Sequence, residues 1–227
     1  MSILIEAAHP DDEVLGCGAS AAKWAEAGKE VHVVILAEGA TSRDFARNPE
    51  SRIEELSALE KSAQSAGKIL GVTSVRLLNF PDNRMDSVDR LEVIKIVEKQ
   101  IELVKPETVV THHSGDINID HQITHQAVVT ACRPQPRESV RRLLAFEVPS
   151  STEWQPPDSA PSFRPNWFED VSKTLERKLQ ALEIYAEEMR TWPHSRSLQA
   201  VEHLARWRGS SVGCEAAEAF ILLREVC

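Results

Sequence analysis

Apolar runs and amphipathic stretches alternate along the first two-thirds of this chain. Segments 2–8 (SILIEAA), 30–39 (EVHVVILAEG), 74–80 (SVRLLNF), 107–113 (ETVVTHH) and 140–148 (VRRLLAFEV) are short and apolar, and they read as strands. Between them, segments 13–29, 49–71, 87–106 and 120–134 carry helical patterns. Gly28, Gly71 and Pro106 stand where those patterns stop. Single strands joined by single helices make βαβ units. The pattern therefore predicts an α/β fold, a Rossmann-like three-layer sandwich with a mostly parallel sheet between two helical layers. Right-handed crossovers bring the C-terminal ends of parallel strands to one edge, where such folds bind their ligands.

The pattern changes near Pro149. Residues 149–167 are rich in Pro and Ser, and they hold Trp154, Phe163 and Trp167. The stretch is either a linker or a long loop over the sheet, and its aromatics favour an ordered loop. A helix is expected over 171–190, and 217–226 is a last apolar run. With no repeat and no second core pattern, residues 1–227 are expected to form one domain.

Bulk charge narrows the function classes. A net charge of −9 argues against general electrostatic binding to nucleic acid or an anionic membrane, since both need a basic surface. An anionic small molecule met by a local Arg stays possible. No apolar run reaches membrane-spanning length, and no basic-then-apolar leader precedes the first strand. The four cysteines, Cys17, Cys132, Cys214 and Cys227, are scattered without a C-x-x-C pair. They are expected to be reduced structural or bystander thiols of a cytoplasmic protein, with a Cys214–Cys227 bridge as the alternative. A homo-oligomer is compatible with all of this.

Chemistry concentrates at two strand ends. The first strand runs into His9-Pro10-Asp11-Asp12-Glu13. Pro10 biases His9 to an extended conformation, and the acids fall at the incoming helix N-terminus, where the macrodipole favours them. Capping explains one Asp, not the histidine or the run of three acids. The fourth strand ends in THHSGDINIDHQITH, which brings His112, His113, Asp116, Asp120, His121 and His125 to the same edge. Histidine and carboxylate converging from two strand ends is the donor set of a catalytic zinc site, with three protein ligands and one open position. Asp116-x-Asn118-x-Asp120 begins like a calcium loop, but its sixth position is His121 and its twelfth Ala127. His121 and His125 have two-His zinc spacing, without the adjacent Glu of the protease form. His113 and His125 are equally readable as ordinary polar groups at a helix start, His32 as an edge histidine and His203 as a surface one. The GCGAS stretch lacks the spacing of a dinucleotide loop and follows an acidic turn.

AAHPDDEVLGCGAS, followed a hundred residues later by DINIDHQITHQAV, resembles the PIG-L/LmbE-like zinc-dependent N-deacetylases. The likeness extends through SRIEELSALEKSAQSAGKILGV, NFPDNRMD and THHSGD to the C-terminal HSRS and LARWRGSSVGCEAAEAF. The resemblance implies an enzyme that removes acetyl groups from an N-acetylated amino sugar or sugar conjugate. It implies His9, Asp12 and His121 as zinc ligands and Asp11 as general base, with ferrous iron or cobalt acceptable to the same donors. Arg52 matches a substrate-contacting Arg. Asn83 and Arg84 follow the third strand and join the same rim. Many members carry a histidine three residues before the ligand His, and here that position is Asn118. His113, His125 or His194 could replace it, and His194 is the first expectation for a second catalytic group. Asn118 is then left to substrate, and Asp120 is expected to orient a ligand imidazole or hold Asn118. The competing readings are an amidase acting on another N-acyl small molecule and a catalytically idle, metal-holding sugar-binding module.

Overall fold

The computed structural model describes residues 1–136 and 139–227. Its strands are β1 (Ser2–Ala7), β2 (Glu30–Ala37), β3 (Ser74–Phe80), β4 (Thr108–His112), β5 (Arg142–Phe146), β6 (Trp167–Asp170) and β7 (Ala217–Glu225). They form one sheet in the order β3-β2-β1-β4-β5-β7-β6. β1 to β5 are parallel, and β7 runs antiparallel to both β5 and β6. The chain winds outward from β1 to β3, then crosses to β4 on the other side of β1. That reversal opens a crevice between the ends of β1 and β4.

Alternation along β1 fixes the two faces. Ile3, Ile5 and Ala7 belong to a core with residues of α1 (Asp12–Glu26), α2 (Ile53–Leu70) and α5 (Leu175–Ile184), and also with Val201 of α6 (Leu198–Ser210). Leu4 belongs to the opposite core, with α3 (Arg90–Val104) and α4 (Ile119–Ala131). The three-layer α/β sandwich expected from the apolar pattern is the fold observed.

The differences lie at the C-terminal end. The last apolar run supplies β7, antiparallel and next to the edge, and the Pro-rich stretch ends in β6 at the sheet edge. The helix expected over 171–190 is the shorter α5, and a 3₁₀ turn, Pro49–Arg52, precedes α2. Cys214 and Cys227 are not bridged to each other.

Two features seat the start of α1. A Cβ on Gly16 would lie 2.3 Å from the Phe146 ring, so only glycine allows α1 this close to β5. At Cys17 the backbone leaves helical geometry, and Glu218 of β7 accepts the freed N–H groups of Ala19 (3.1 Å) and Ser20 (2.7 Å). Lys178 balances Glu218 at 2.6 Å and donates to the Leu15 carbonyl at 2.8 Å.

Glu6 is a buried carboxyl on β1, and neither of its oxygens has a hydrogen-bond partner among the described residues. Burial pushes its pKa well above the ordinary 4.5. The native state therefore holds this proton at pH values where the unfolded chain has released it, and stability falls as pH rises above 4.5 toward the folded value. Glu6→Gln is expected to flatten that decline and to leave the protein at least as stable at pH 8. Denaturant titrations at pH 5 and pH 8 check this, and parallel profiles for the two proteins would contradict it.

Candidate functional site

A polar cavity opens at the C-terminal edge of the sheet, and every parallel strand sends residues to it. His9, Pro10 and Asp11 follow β1; Gly39, Ser42 and Arg43 follow β2; Asp82 and Asn83 follow β3. Asn118 and His121 follow β4, Ser150 and Ser151 follow β5, and Glu188 and Arg196 come from the segment after α5.

The turn after β1 is unusual. Asp11 holds the N-cap position of α1 but makes no capping bond with its side chain, and its φ is 104°. A non-glycine residue there is strained, and such strain persists where the surroundings over-determine it. Glu13 supplies part of that restraint. Its Oε2 accepts the Asp11 N–H at 3.0 Å, while its Oε1 accepts the Tyr185 hydroxyl at 2.7 Å. Burial raises the Glu13 pKa to about 7, although both hydrogen bonds work against the rise.

Three donor atoms meet beside this turn. His9 Nδ1 and Asp12 Oδ2 are 3.3 Å apart, His121 Nε2 and Asp12 Oδ2 3.1 Å, and His121 Nε2 and His9 Nδ1 3.3 Å. These edges match the face of a tetrahedron whose ligands sit about 2.0–2.1 Å from its centre. Asp12 Oδ1 is buried without a hydrogen-bond partner among the described residues, a second donor available to a cation. Each imidazole is backed on its far side by a carboxylate. Asp120 Oδ2 lies 3.0 Å from His9 Nε2, with Asp82 Oδ1 at 3.4 Å, and Asp116 Oδ1 lies 3.1 Å from His121 Nδ1. Carboxylates so placed fix the ring orientation and tautomer of metal-binding histidines. The donor set fits zinc.

The electrostatics fit as well. Burial opposes a charged His121, but Asp12 and Asp116 outweigh it and lift its pKa to about 9. The reciprocal effect brings Asp116 down to about 2, against its burial, with help from the Ser151 and Thr152 hydroxyls. The crevice thus favours positive charge at its centre. Asp11 behaves differently. Burial pushes its pKa well up, Arg196 only partly offsets this, and the Asp12 and Glu13 carboxylates add to the rise. Its Oδ2 accepts from Arg196 Nη1 at 3.0 Å, and its Oδ1 has no partner among the described residues.

The residues singled out from the sequence fall into two groups. His9, Asp11, Asn83, Asn118 and His121 line the cavity, and Asp12 and Asp120 stand directly behind it. Asp120 also accepts the N–H groups of Asn83 (2.6 Å) and Met85 (2.9 Å), tying the β3 loop to α4. Asn118 caps α4 through the Asp120 N–H at 2.9 Å and donates to Asn83 Oδ1 at 2.8 Å. Arg52, Arg84 and His194 do not line the cavity. Arg52 is held by Asp44 and Glu55, and Arg84 donates to the Asp44 and Phe45 carbonyls. His194 turns its own loop by accepting the Arg196 N–H at 3.0 Å, with its ring against Trp154. His113 and His125 are also engaged elsewhere, their ring nitrogens 2.8 Å from the carbonyls of Pro161 and His112.

Arg43, Asp82, Ser150, Ser151, Glu188 and Arg196 were not singled out. Two of them lay inside quoted stretches: Asp82 in NFPDNRMD, next to Asn83, and Arg196 in HSRS, two residues past His194. Asp116 lay within the flagged stretch, and what picks it out is the fold: it faces His121 and accepts the Ser151 and Thr152 hydroxyls arriving from β5.

Comparison with known proteins adds the following. Residues 4–132 match the family described as PIG-L, GlcNAc-PI de-N-acetylase. The chain is 35% identical over 180 residues to the Escherichia coli K12 protein named uncharacterized deacetylase YaiS, covering 75% of this chain and 82% of that one. It is 25% identical over 193 residues to a probable N-acetyl-alpha-D-glucosaminyl L-malate deacetylase 2 of Bacillus anthracis, covering 83% and 82%. Among solved structures it superposes on GalB, the 4-carboxy-2-hydroxymuconate hydratase of Pseudomonas putida KT2440, with TM-score 0.78 and 23% identity over 100% of this chain and 97% of that one.

Proposed function

The chain belongs to the PIG-L, GlcNAc-PI de-N-acetylase family, and from that membership we propose that it is a metal-dependent N-deacetylase of an N-acetylated amino sugar or sugar conjugate. The observation that carries this reading is the His9–Asp12–His121 triangle with the Asp11 carboxylate beside it in one polar cavity. His9, Asp12 and His121 would hold the ion, zinc being the best fit and ferrous iron or cobalt acceptable to the same donors. Bound there, zinc supplies a Lewis acid and brings the pKa of water to about 7.

The chain's own groups do the rest. Asp11 Oδ1 takes a proton from the water whose oxygen bonds to the amide carbon. The protonated carboxyl then delivers that proton to the departing nitrogen as the C–N bond breaks, leaving acetate and a free amine. Asp120, Asp82 and Asp116 hold the two imidazoles in place. Asn83 and Asn118, paired at the rim, offer amide groups to sugar hydroxyls. No helix among the described residues is long and apolar enough to cross a membrane. A small-molecule substrate suits the cavity, and cysteines without a disulfide suit the cytoplasm.

The test is acetate release by zinc-loaded protein across N-acetyl hexosamines, their nucleotide conjugates, and N-acetylglucosaminyl malate and inositol. Turnover of at least one sugar class is expected. No release from any sugar, with turnover of a simple N-acyl amide instead, would refute the sugar assignment.

A further inference from the structure

Amide hydrolysis builds negative charge on the carbonyl oxygen, and an enzyme that speeds it needs donors aimed at that charge. Asn118 brings no charge to that oxygen: it is a neutral amide whose oxygen caps α4 and one of whose two N–H bonds goes to Asn83. Asn83 Nδ2 is in turn given to Asp82 at 2.9 Å. Two cations line the cavity. Arg43 is committed on both terminal nitrogens, to Glu188 at 2.6 Å and Glu55 at 3.4 Å.

Arg196 differs. Its Nε donates to the Ser150 hydroxyl at 3.0 Å and its Nη1 to Asp11 Oδ2 at 3.0 Å, while its Nη2 has no partner among the described residues. Anchors after β5 and β1 therefore fix the guanidinium plane of a residue that lines the cavity with His9 and His121, and one terminal nitrogen is left over. Its side chain is only 23% exposed, so its charge is felt through a medium of lower dielectric than bulk water.

We propose that Arg196 is a catalytic residue, whose free Nη2 edge donates to the carbonyl oxygen of the amide as that oxygen becomes negative. This rests on the deacetylase reading above and adds the group that carries the electrostatic half of the reaction. The guanidinium stays protonated throughout; the proton that moves is the water's, by way of Asp11. Fixing Asp11 Oδ2 also leaves Oδ1 as the oxygen that receives it.

A direct role is separated from one acting through Asp11 by measuring binding where Asp11 no longer works. In zinc-loaded Asp11→Asn protein, affinities are measured for an N-acetylated substrate that the wild type turns over and for the methylphosphonamide of the same amine, whose tetrahedral phosphorus centre carries the charge. Adding Arg196→Met is expected to weaken phosphonamide binding at least about tenfold and substrate binding much less. In the wild-type background, Arg196→Lys, which keeps the charge but loses the fork, is expected to lower kcat by about 10²-fold with little change in KM. Its metal content and thermal midpoint should stay at wild-type values. Equal weakening of both ligands, or a raised KM with unchanged kcat, would show ground-state binding and overturn the proposal. Unchanged affinities in the Asp11→Asn background would show that Arg196 acts only through Asp11. Wild-type protein that hydrolyses no amide would fail the deacetylase reading instead, and a wild type that turns over with indifferent Arg196 variants would fail this inference alone.

Discussion

Asp11→Asn is expected to keep its metal ion and lose about 10²–10⁴-fold of turnover, the range that a positioned general base supplies. The substitution is nearly isosteric and spares the triangle, because Asp11 contributes no atom to it. The strained backbone suits the exchange, since asparagine is among the few residues that visit positive φ readily. The native state pushes the Asp11 carboxyl upward, mainly by burial, so ionised Asp11 costs the fold stability at neutral pH. Asparagine removes that cost while leaving Arg196 without an anion, and the net change in thermal midpoint should be small. The base works only when ionised, so wild-type turnover should fall on the acid side as Asp11 takes up a proton. Metal analysis beside kcat decides the matter. Activity within tenfold of wild type would remove Asp11 from the reaction, and loss of the ion would make it a ligand.

How far these groups were legible in the sequence follows from how local each one is. The βαβ pattern marks β1 to β5 because buried parallel strands are continuously apolar. His9, Asp11 and Asp12 are legible because a single turn presents them, and His121 because it lies just past the end of β4. The groups that tune them arrive from afar. Asp120 was expected behind a ligand imidazole, but that the ring is His9 depends on β1 and β4 ending on one edge; Asp82 joins it from β3, and Ser151 reaches Asp116 from β5. Arg196 lies 185 residues from its partner Asp11, inside the HSRS stretch, with no apolar periodicity there to place it. His194 carried the obvious chemistry there, yet the loop closes through its ring and turns Arg196 into the cavity instead. Arg52 was read from the family resemblance and Arg84 from its place after the third strand, and neighbouring acceptors hold both. β6 was hidden because an edge strand of four residues, paired on one side only, needs little apolar pattern.

The second large effect falls on His121. His121→Ala is expected to leave the purified protein without a metal ion and without activity, whereas His125→Ala keeps the ion. Both histidines lie on α4, one turn apart, and spacing alone made them rivals. The structure turns them to different tasks: His121 Nε2 faces Asp12 Oδ2 at 3.1 Å, while His125 Nδ1 is 2.8 Å from the His112 carbonyl. Removing His121 opens the triangle and strips Asp116 of the group that does most to hold its carboxyl down, after burial is set against it. Asp116→Asn, which leaves all three donors in place, should be milder, costing metal affinity about 10–100-fold as carboxylates behind metal-binding histidines do. A second readout needs no activity. In metal-stripped wild type the His121 imidazolium, with its pKa lifted to about 9, contributes stability that is complete below pH 6.5 and lost as pH rises through 9. Stripped His121→Ala should lack that alkaline decline and be less stable at pH 6. If His121→Ala retained one ion per chain, the triangle would be the wrong donor set, and His9 with Asp82 and Asp120 would be the next group to substitute.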